Sequence, residues 1–202
     1  MKIGLIDYGR GNLRSVEKAL ERVGAQVQKI SSQKEFQNAD AVVLPGVGAF
    51  GDAMRNLQER ELVAPILDWL KSGRPFLGIC LGFQLLFESS EENPDIQGLS
   101  WLKGRVVRFP ESVGKVPHIG WNEVSHQKNG LFGALPNPAF FYHVHSYYPR
   151  EVEKKWIACE TEYGGVRFVS GISSGNTHAM QFHPEKSQEN GRKLLEAFVK
   201  SA

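Results

Sequence analysis

The chain has 202 residues, 41% of them hydrophobic, and a net charge of +2 with acids and bases nearly balanced. That length favours one domain, residues 1–202, around one substantial core. The sequence lacks the basic clustering of a nucleic-acid surface and any apolar run long enough to span a bilayer, and MKIGLID does not read as a leader, so a cytoplasmic protein with neither partner is expected. Its two cysteines, Cys80 and Cys159, are expected as reduced thiols.

In chain order, KIGLID reads as a buried strand ending near Asp7. Asn12 is then a candidate helix cap, Leu13, Val16, Leu20 and Val23 recur at helical spacing, and Gly24 stops the helix. AQVQKI and AVVLPG read as the second and third strands, the latter apolar throughout and so buried on both faces. Leu62, Ile66 and Leu70 mark a helix that ends before SGRP. PFLGIC is another apolar strand, followed at once by an apolar helix. From about Gly98 the pattern turns to short β-like stretches: GRVVRF, HIGWNEV, AFFYHVHSYY, WIACETEY, VRFVSGI and THAMQFH. A last helix places Leu194, Leu195 and Phe198 on one face. The predicted fold class is α/β: an open, mostly parallel central sheet with helices on both faces and added antiparallel strands.

Cys80 sits at the end of a predicted central strand, where open α/β sheets bind ligands. Gly78-Ile79-Cys80-Leu81-Gly82 has the Gly-x-nucleophile-x-Gly pattern of a nucleophile elbow, and the following helix is expected to aim its positive end at the sulfur. On these five residues alone, a small buried structural cysteine is an equal reading. A cysteine nucleophile needs a base and the base needs orienting. In QFHPEKS, Pro184 is expected to hold the backbone extended, so that His183 and Glu185 face the same way and the carboxylate orients the imidazole. His143 and His145 share a strand face and form a possible metal pair. No third and fourth ligands lie near them in sequence, so local hydrogen bonding is preferred, with no metal and no cofactor. GRGN lacks the ending of a phosphate loop.

PGVGAFGDAM, GICLGFQLLFE and QFHPEKS, in that order, resemble the class I (triad) glutamine amidotransferases. More narrowly, IDYGRGNLRSV, PHIGWNEV and YHVHSYY resemble those that serve as glutaminase subunits of imidazole glycerol phosphate synthases. The resemblance implies Cys80 as nucleophile, His183 as general base and acid, and Glu185 as its orienting carboxylate. It implies an oxyanion hole from the backbone of Leu81 with Val47 and Gly48. Glycines on both sides of Val47 also make a peptide flip there inexpensive. Glutamine contacts are implied for Gly46, Gln84, Glu92, Ser146 and Tyr147, although Gln84 also reads as helix packing and Glu92 as a solvated acid.

A glutaminase that fills its own chain must hand ammonia to another protein before water protonates it. The resemblance implies a HisF-type (β/α)8-barrel cyclase subunit in a heterodimer, making imidazole glycerol phosphate and AICAR in histidine biosynthesis. Asn12, Trp121 and Lys186 are candidate docking residues, Trp121 reading equally as a core tryptophan. Two other readings stand beside this one: a different triad-type cysteine hydrolase, such as a peptidase, and a non-catalytic flavodoxin-like binding module.

Overall fold

The computed structural model describes residues 1–9 and 12–201. Its elements are β1 (Lys2–Ile6), α1 (Leu13–Arg22), β2 (Gln26–Ile30), β3 (Ala41–Gly46), α2 (Phe50–Glu59), α3 (Val63–Lys71), β4 (Phe76–Cys80), α4 (Leu81–Gln84), β5 (Ser89–Ser90), β6 (Arg105–Arg108), β7 (His118–His126), β8 (Ala139–His145), β9 (Tyr147–Arg150), β10 (Ile157–Tyr163), β11 (Val166–Ser174), β12 (Thr177–Met180) and α5 (Gln188–Ser201). A nine-stranded sheet runs in the order β2-β1-β3-β4-β12-β11-β10-β7-β8. Pairing is parallel from β2 across to β12 and antiparallel from β12 to β8. The predicted parallel sheet with antiparallel additions is therefore present, and β12 is the seam. A small sheet, β5-β6-β9, lies beside it.

Side-chain alternation divides the core between the two sheet faces. Ile6, Val42 and Leu44 pack with Met54 and Leu57 of α2 and Ile66 and Leu70 of α3. Ile3, Leu5, Ala41 and Val43 point the other way, against Val16 and Leu20 of α1 and Leu194, Leu195 and Phe198 of α5. Strands β3 and β4 are buried along their whole length, as continuous apolar runs require.

Helix α2 is not among the elements predicted above. Phe50, Ala53, Met54 and Leu57 do carry a buried helical stripe, but Ala49 at the N-cap offers no side-chain cap. The cap arrives from 42 residues away: Glu92 Oε2 accepts the Phe50 N–H at 2.7 Å, and Asn93 Oδ1 accepts the Gly51 N–H at 2.7 Å. Asn12 does stand at the N-cap of α1, but its side chain makes no capping bond.

The helix after Cys80 is a single turn, Leu81–Gln84, shorter than predicted. The carbonyls of Leu85, Leu86 and Phe87 are taken by the N–H groups of Leu99, Leu102 and Ser100, which prevents the helix from continuing. So short a helix sums few peptide dipoles, and little of the expected macrodipole reaches the sulfur. AFFYHVHSYY is two strands, not one. The chain leaves the large sheet at Ser146, whose carbonyl accepts the Phe109 N–H at 3.0 Å, and enters the small sheet as β9.

The elbow itself is closely packed. A Cβ built on Gly82 would overlap the Leu44 carbonyl oxygen, and one on Gly78 would lie 2.9 Å from the Ala179 Cβ. Gly82→Ala is therefore expected to destabilise the chain by about 3 kcal/mol, the upper part of the usual overpacking range. Denaturant unfolding checks this, and an unchanged midpoint would contradict the close approach.

Candidate active site

Three parallel strand ends build the site. Gly46 at the end of β3 is in register with Cys80 at the end of β4, and Ile79 is in register with Met180 at the end of β12. The β12 chain continues through Gln181 and Phe182 to His183. Cys80 has φ 54° and ψ −106°, outside the regions a non-glycine residue normally occupies. This is the strained turn that Gly-Ile-Cys-Leu-Gly predicts.

His183 Nδ1 and Glu185 Oε1 are 2.7 Å apart, and the two side chains are 2% and 3% exposed. The route to this contact differs from the expectation. Pro184 does not keep the segment extended; it opens a 3₁₀ turn, Pro184–Lys186, with only His183 extended. The turn folds Glu185 back under the ring. His183 Nε2 makes no hydrogen bond of regular geometry among the described residues, and the Cys80 sulfur is the group it faces. Burial opposes charge on His183, but the Cys80 sulfur and the Glu185 carboxylate outweigh it and push the imidazole up to about 10. The arrangement favours an imidazolium paired with sulfur on one side and carboxylate on the other.

A pocket of about 400 Å³ opens over Cys80. Val47, Gly48, Leu81, Gln84, Glu92, Ser146, Tyr147 and Lys186 line it, together with Pro117, Val144 and His145. Gly48 has φ +104°, and a Cβ there would meet nothing within 4 Å, so backbone conformation alone calls for glycine. Gly46 stands apart from the lining. A Cβ on it would come within 2.6 Å of the Tyr8 hydroxyl and 2.8 Å of the Leu81 Cβ, so it lets β3 approach the elbow. Tyr8 donates to the Pro45 carbonyl at 3.1 Å.

Several lining side chains already have partners. Glu92 spends one oxygen on the N-terminus of α2. Burial and then the Glu92 carboxylate raise the Tyr147 phenol, which places these two groups near one another. Gln84, 5% exposed, donates to the Tyr147 carbonyl at 3.1 Å and to Gln181 Oε1 at 3.0 Å. Gln181 is fully buried, and its amide donates to Cys80 Sγ at 3.7 Å. Gln181 lies outside the residues that the sequence motifs assign a role. It follows directly after β12, where the chain bends at Gln181 and Phe182 and brings both Gln181 and His183 to the sulfur.

The docking candidates separate into two groups. Asn12 borders a small cavity behind the triad that also touches Gly46, His183 and Glu185. Trp121 is 46% exposed on the edge hairpin β7–β8 and packs edge-on against Tyr142. The Lys186 ammonium lies 5.7 Å from the centre of the same Tyr142 ring. Trp121 is thus a surface residue and not part of the core.

His143 and His145 have a third imidazole beside them after all. β7 brings His118 opposite His145, and the ligating atoms of the three lie within 4.8 Å of one another. The arrangement nevertheless reads as a hydrogen-bond network. The Asn122 amide lies 3.2 Å from His118 Nε2, and its own orientation is fixed by donation to the Glu162 carbonyl. His118 therefore carries its proton on Nδ1, 3.3 Å from His145 Nε2, and His145 Nδ1–H donates to the Tyr147 carbonyl at 2.8 Å. The His118 and His143 rings also stack at 20°, so their in-plane lone pairs do not converge on one point.

Burial holds these rings neutral: His118 is lowered to about 4, His145 to about 3, and His143, also opposed by its neighbours, well below the usual value. Below pH ~6.5 the unfolded chain binds protons that the folded chain refuses, so stability falls with pH by about 1.4 kcal/mol per unit for each such group. His183, raised to about 10, has the opposite sign: its contribution is complete below pH ~6.5 and is lost as pH rises through 10. Thermal melts at pH 7, 6, 5 and 4.5 should show a progressive loss that His118→Asn reduces. A flat profile would mean that the rings are hydrated.

Residues 4–202 match the family model described as glutamine amidotransferase class-I. The chain is 50% identical over 204 residues to the imidazole glycerol phosphate synthase subunit HisH of Aquifex aeolicus, covering 100% of this chain and 98% of the relative. It is 49% identical to the HisH subunit of Desulfitobacterium hafniense, covering 98% and 93%. Among solved structures, a chain of PurLQS from Thermotoga maritima superposes with a TM-score of 0.79 at 18% identity, covering 98% and 97%. A glutamine amidotransferase from the same organism gives 0.67 at 18% identity, covering 99% and 83%, and both carry the same fold. The chain belongs to the class-I glutamine amidotransferase family and, within it, to the HisH subunits of imidazole glycerol phosphate synthase.

Proposed function

We propose that this chain is the glutaminase subunit of an imidazole glycerol phosphate synthase, releasing ammonia from glutamine at Cys80. The observation that carries the reading is a buried His183–Glu185 pair beside a strained cysteine at the floor of an open pocket. In the first step sulfur attacks the side-chain carboxamide carbon. A C–S bond forms and the carbonyl electrons move to oxygen. Leu81 and the Val47–Gly48 segment line the pocket, and their backbone N–H groups serve as the oxyanion donors, each such donor being worth ~10²–10³ in turnover. His183, protonated at Nε2, gives that proton to the leaving nitrogen, the C–N bond breaks, and ammonia departs. Water then adds to the thioester with His183 as base. The C–S bond breaks and glutamate leaves, restoring the sulfur and the imidazolium. Glu185 keeps Nδ1 protonated and the ring aimed throughout.

Ser146, Tyr147 and Glu92 stand where the α-amino and α-carboxylate groups of glutamine need partners, with the second oxygen of Glu92 available to an ammonium. Gln84 has both amide hydrogens committed and shapes the pocket from behind. Gly46 lies outside the pocket lining and serves by letting β3 approach the elbow.

A HisF-type (β/α)8-barrel cyclase subunit docks on the edge hairpin. Ile119, Trp121 and Phe140, 52%, 46% and 49% exposed, form one apolar face across β7 and β8, with Glu123 opposite Phe140. Exposed aromatic anchors of this kind carry interface energy. Through Val144 and Lys186 this face runs into the wall of the Cys80 pocket, so a partner seated there receives ammonia before it reaches bulk water. Among the described residues no helix is long and apolar enough to cross a membrane. We place the subunit in the cytoplasm with its partner.

Cys80→Ala is expected to abolish glutamine-dependent synthesis in the reconstituted complex while leaving synthesis from ammonium salts intact. Equal loss with both nitrogen sources would mean that Cys80 serves the fold or the interface.

Replacing His183 with Ala should remove general acid–base catalysis, ~10²–10⁴-fold, and Glu185→Gln should cost less because the base itself remains. Single-turnover thioester formation compares the two. A larger loss for Glu185→Gln would reverse the assigned roles.

A further inference from the structure

The Cys80 sulfur faces two nitrogen donors, and the triad uses only one. Gln181 Nε2 approaches Sγ at 3.7 Å from a fully buried side chain. Which end of that amide meets the sulfur is fixed by a chain of bonds. A backbone carbonyl, Tyr147, can only accept, and it takes one hydrogen from Gln84 Nε2 at 3.1 Å. The same nitrogen gives its second hydrogen to the Gln181 side chain at 3.0 Å, so the atom there is Oε1. The remaining end of Gln181, its NH₂ group, must face Cys80. His145 Nδ1–H reinforces the anchor by donating to the same Tyr147 carbonyl at 2.8 Å.

We propose that Gln181 is a catalytic residue of the glutaminase reaction: a fixed amide donor that holds the Cys80 sulfur as thiolate and as leaving group. This rests on the glutaminase reading given above. The two donors differ in kind. His183 shuttles its proton between nitrogen, leaving ammonia and water, whereas the amide never gives its hydrogen up. A hydrogen bond to an anion is about twice as strong as one to a neutral acceptor, so the amide favours states in which sulfur carries charge. Those states are the resting ion pair and the moment in deacylation when the C–S bond breaks and its electron pair returns to sulfur. In the neutral thioester between them the bond is weakest. Gln181 therefore acts on thiolate formation and on thioester breakdown more than on glutamine binding. The titratable groups facing the sulfur are His183, backed by Glu185, and Tyr8, which is electrostatically coupled to it, with Glu92, Lys186 and His145 on the pocket wall.

The test is the pH dependence of Cys80 alkylation by iodoacetamide in the full-length chain, read as mass-spectrometric occupancy at Cys80. Gln181→Met keeps the length and removes the donor. It should move the alkylation midpoint upward by ~1 pH unit, a ~10-fold change in the thiol–thiolate equilibrium, with the high-pH plateau unchanged. Gln181→Glu places a like charge there and should move the midpoint further. In the complex with its partner, Gln181→Met should lower kcat with little change in KM and accumulate thioester. A midpoint equal in wild type and both variants overturns the proposal. So does a folded fraction that alkylates normally while activity falls only in proportion to unfolded protein. Wild-type glutamine turnover, measured in parallel, tests the glutaminase reading separately.

Discussion

The conformation of Cys80 is the constraint on which the site depends. A residue at φ 54° and ψ −106° costs on the order of 1–3 kcal/mol and persists only where its surroundings over-determine it. Here β4 is locked between β3 and β12 by parallel pairing on both sides. Gly82 lies against the Leu44 carbonyl, and Gly78 against Ala179. The turn cannot relax without breaking sheet or core. The same pairing delivers the other parts: β3 brings the Val47–Gly48 backbone to one side of the sulfur, and β12 brings Gln181 and His183 to the other. One strained residue in a rigid seam thus sets the Cys80 sulfur, the Val47–Gly48 backbone and the His183 ring together.

Electrostatics then separates one histidine from its neighbours. His118, His143 and His145 are buried with one another, with Phe109 and with Phe168, and burial keeps them neutral. His183 is as dry, but it has a carboxylate on one nitrogen and sulfur near the other. Equal burial with different partners gives opposite protonation. Neutral imidazoles nearby also matter to the reaction, because a charged cluster beside His183 would oppose its imidazolium.

The sequence made the parallel strands legible because β3 and β4, buried on both faces, must be apolar throughout. The triad residues are legible because Gly-x-Cys-x-Gly and His-Pro-Glu are local. What stayed hidden depends on residues distant in the chain. Helix α2 is capped by Glu92 and Asn93 and not by a neighbour, so its start leaves no local sign. The helix after Cys80 stops after one turn because residues 99–102 capture its next carbonyls. His118 joins His143 and His145 only through the β7–β8 pairing. The contact of Glu185 with His183 was anticipated, but through an extended segment where the chain forms a 3₁₀ turn.

That capping of α2 has a mechanical consequence. Residues 47–49 are strung between β3, held in the sheet, and the first turn of α2, held by Glu92 and Asn93. Both ends are fixed, while Gly48 at φ +104° lies in open space. Glu92 belongs to both the anchor and the pocket wall, so a ligand in the pocket lies beside the residue that tethers the far end of this segment. One carboxylate, with an oxygen on the N-terminus of α2, is thereby shared between the pocket wall and the far anchor of residues 47–49. A ligand can shift the conformation of that segment only through interactions that differ between its states. Glu92 is positioned to supply such a difference from inside the pocket. The apolar face of the β7–β8 hairpin reaches the opposite wall through Val144 and Lys186, so a contact made on that face bears on the pocket from outside.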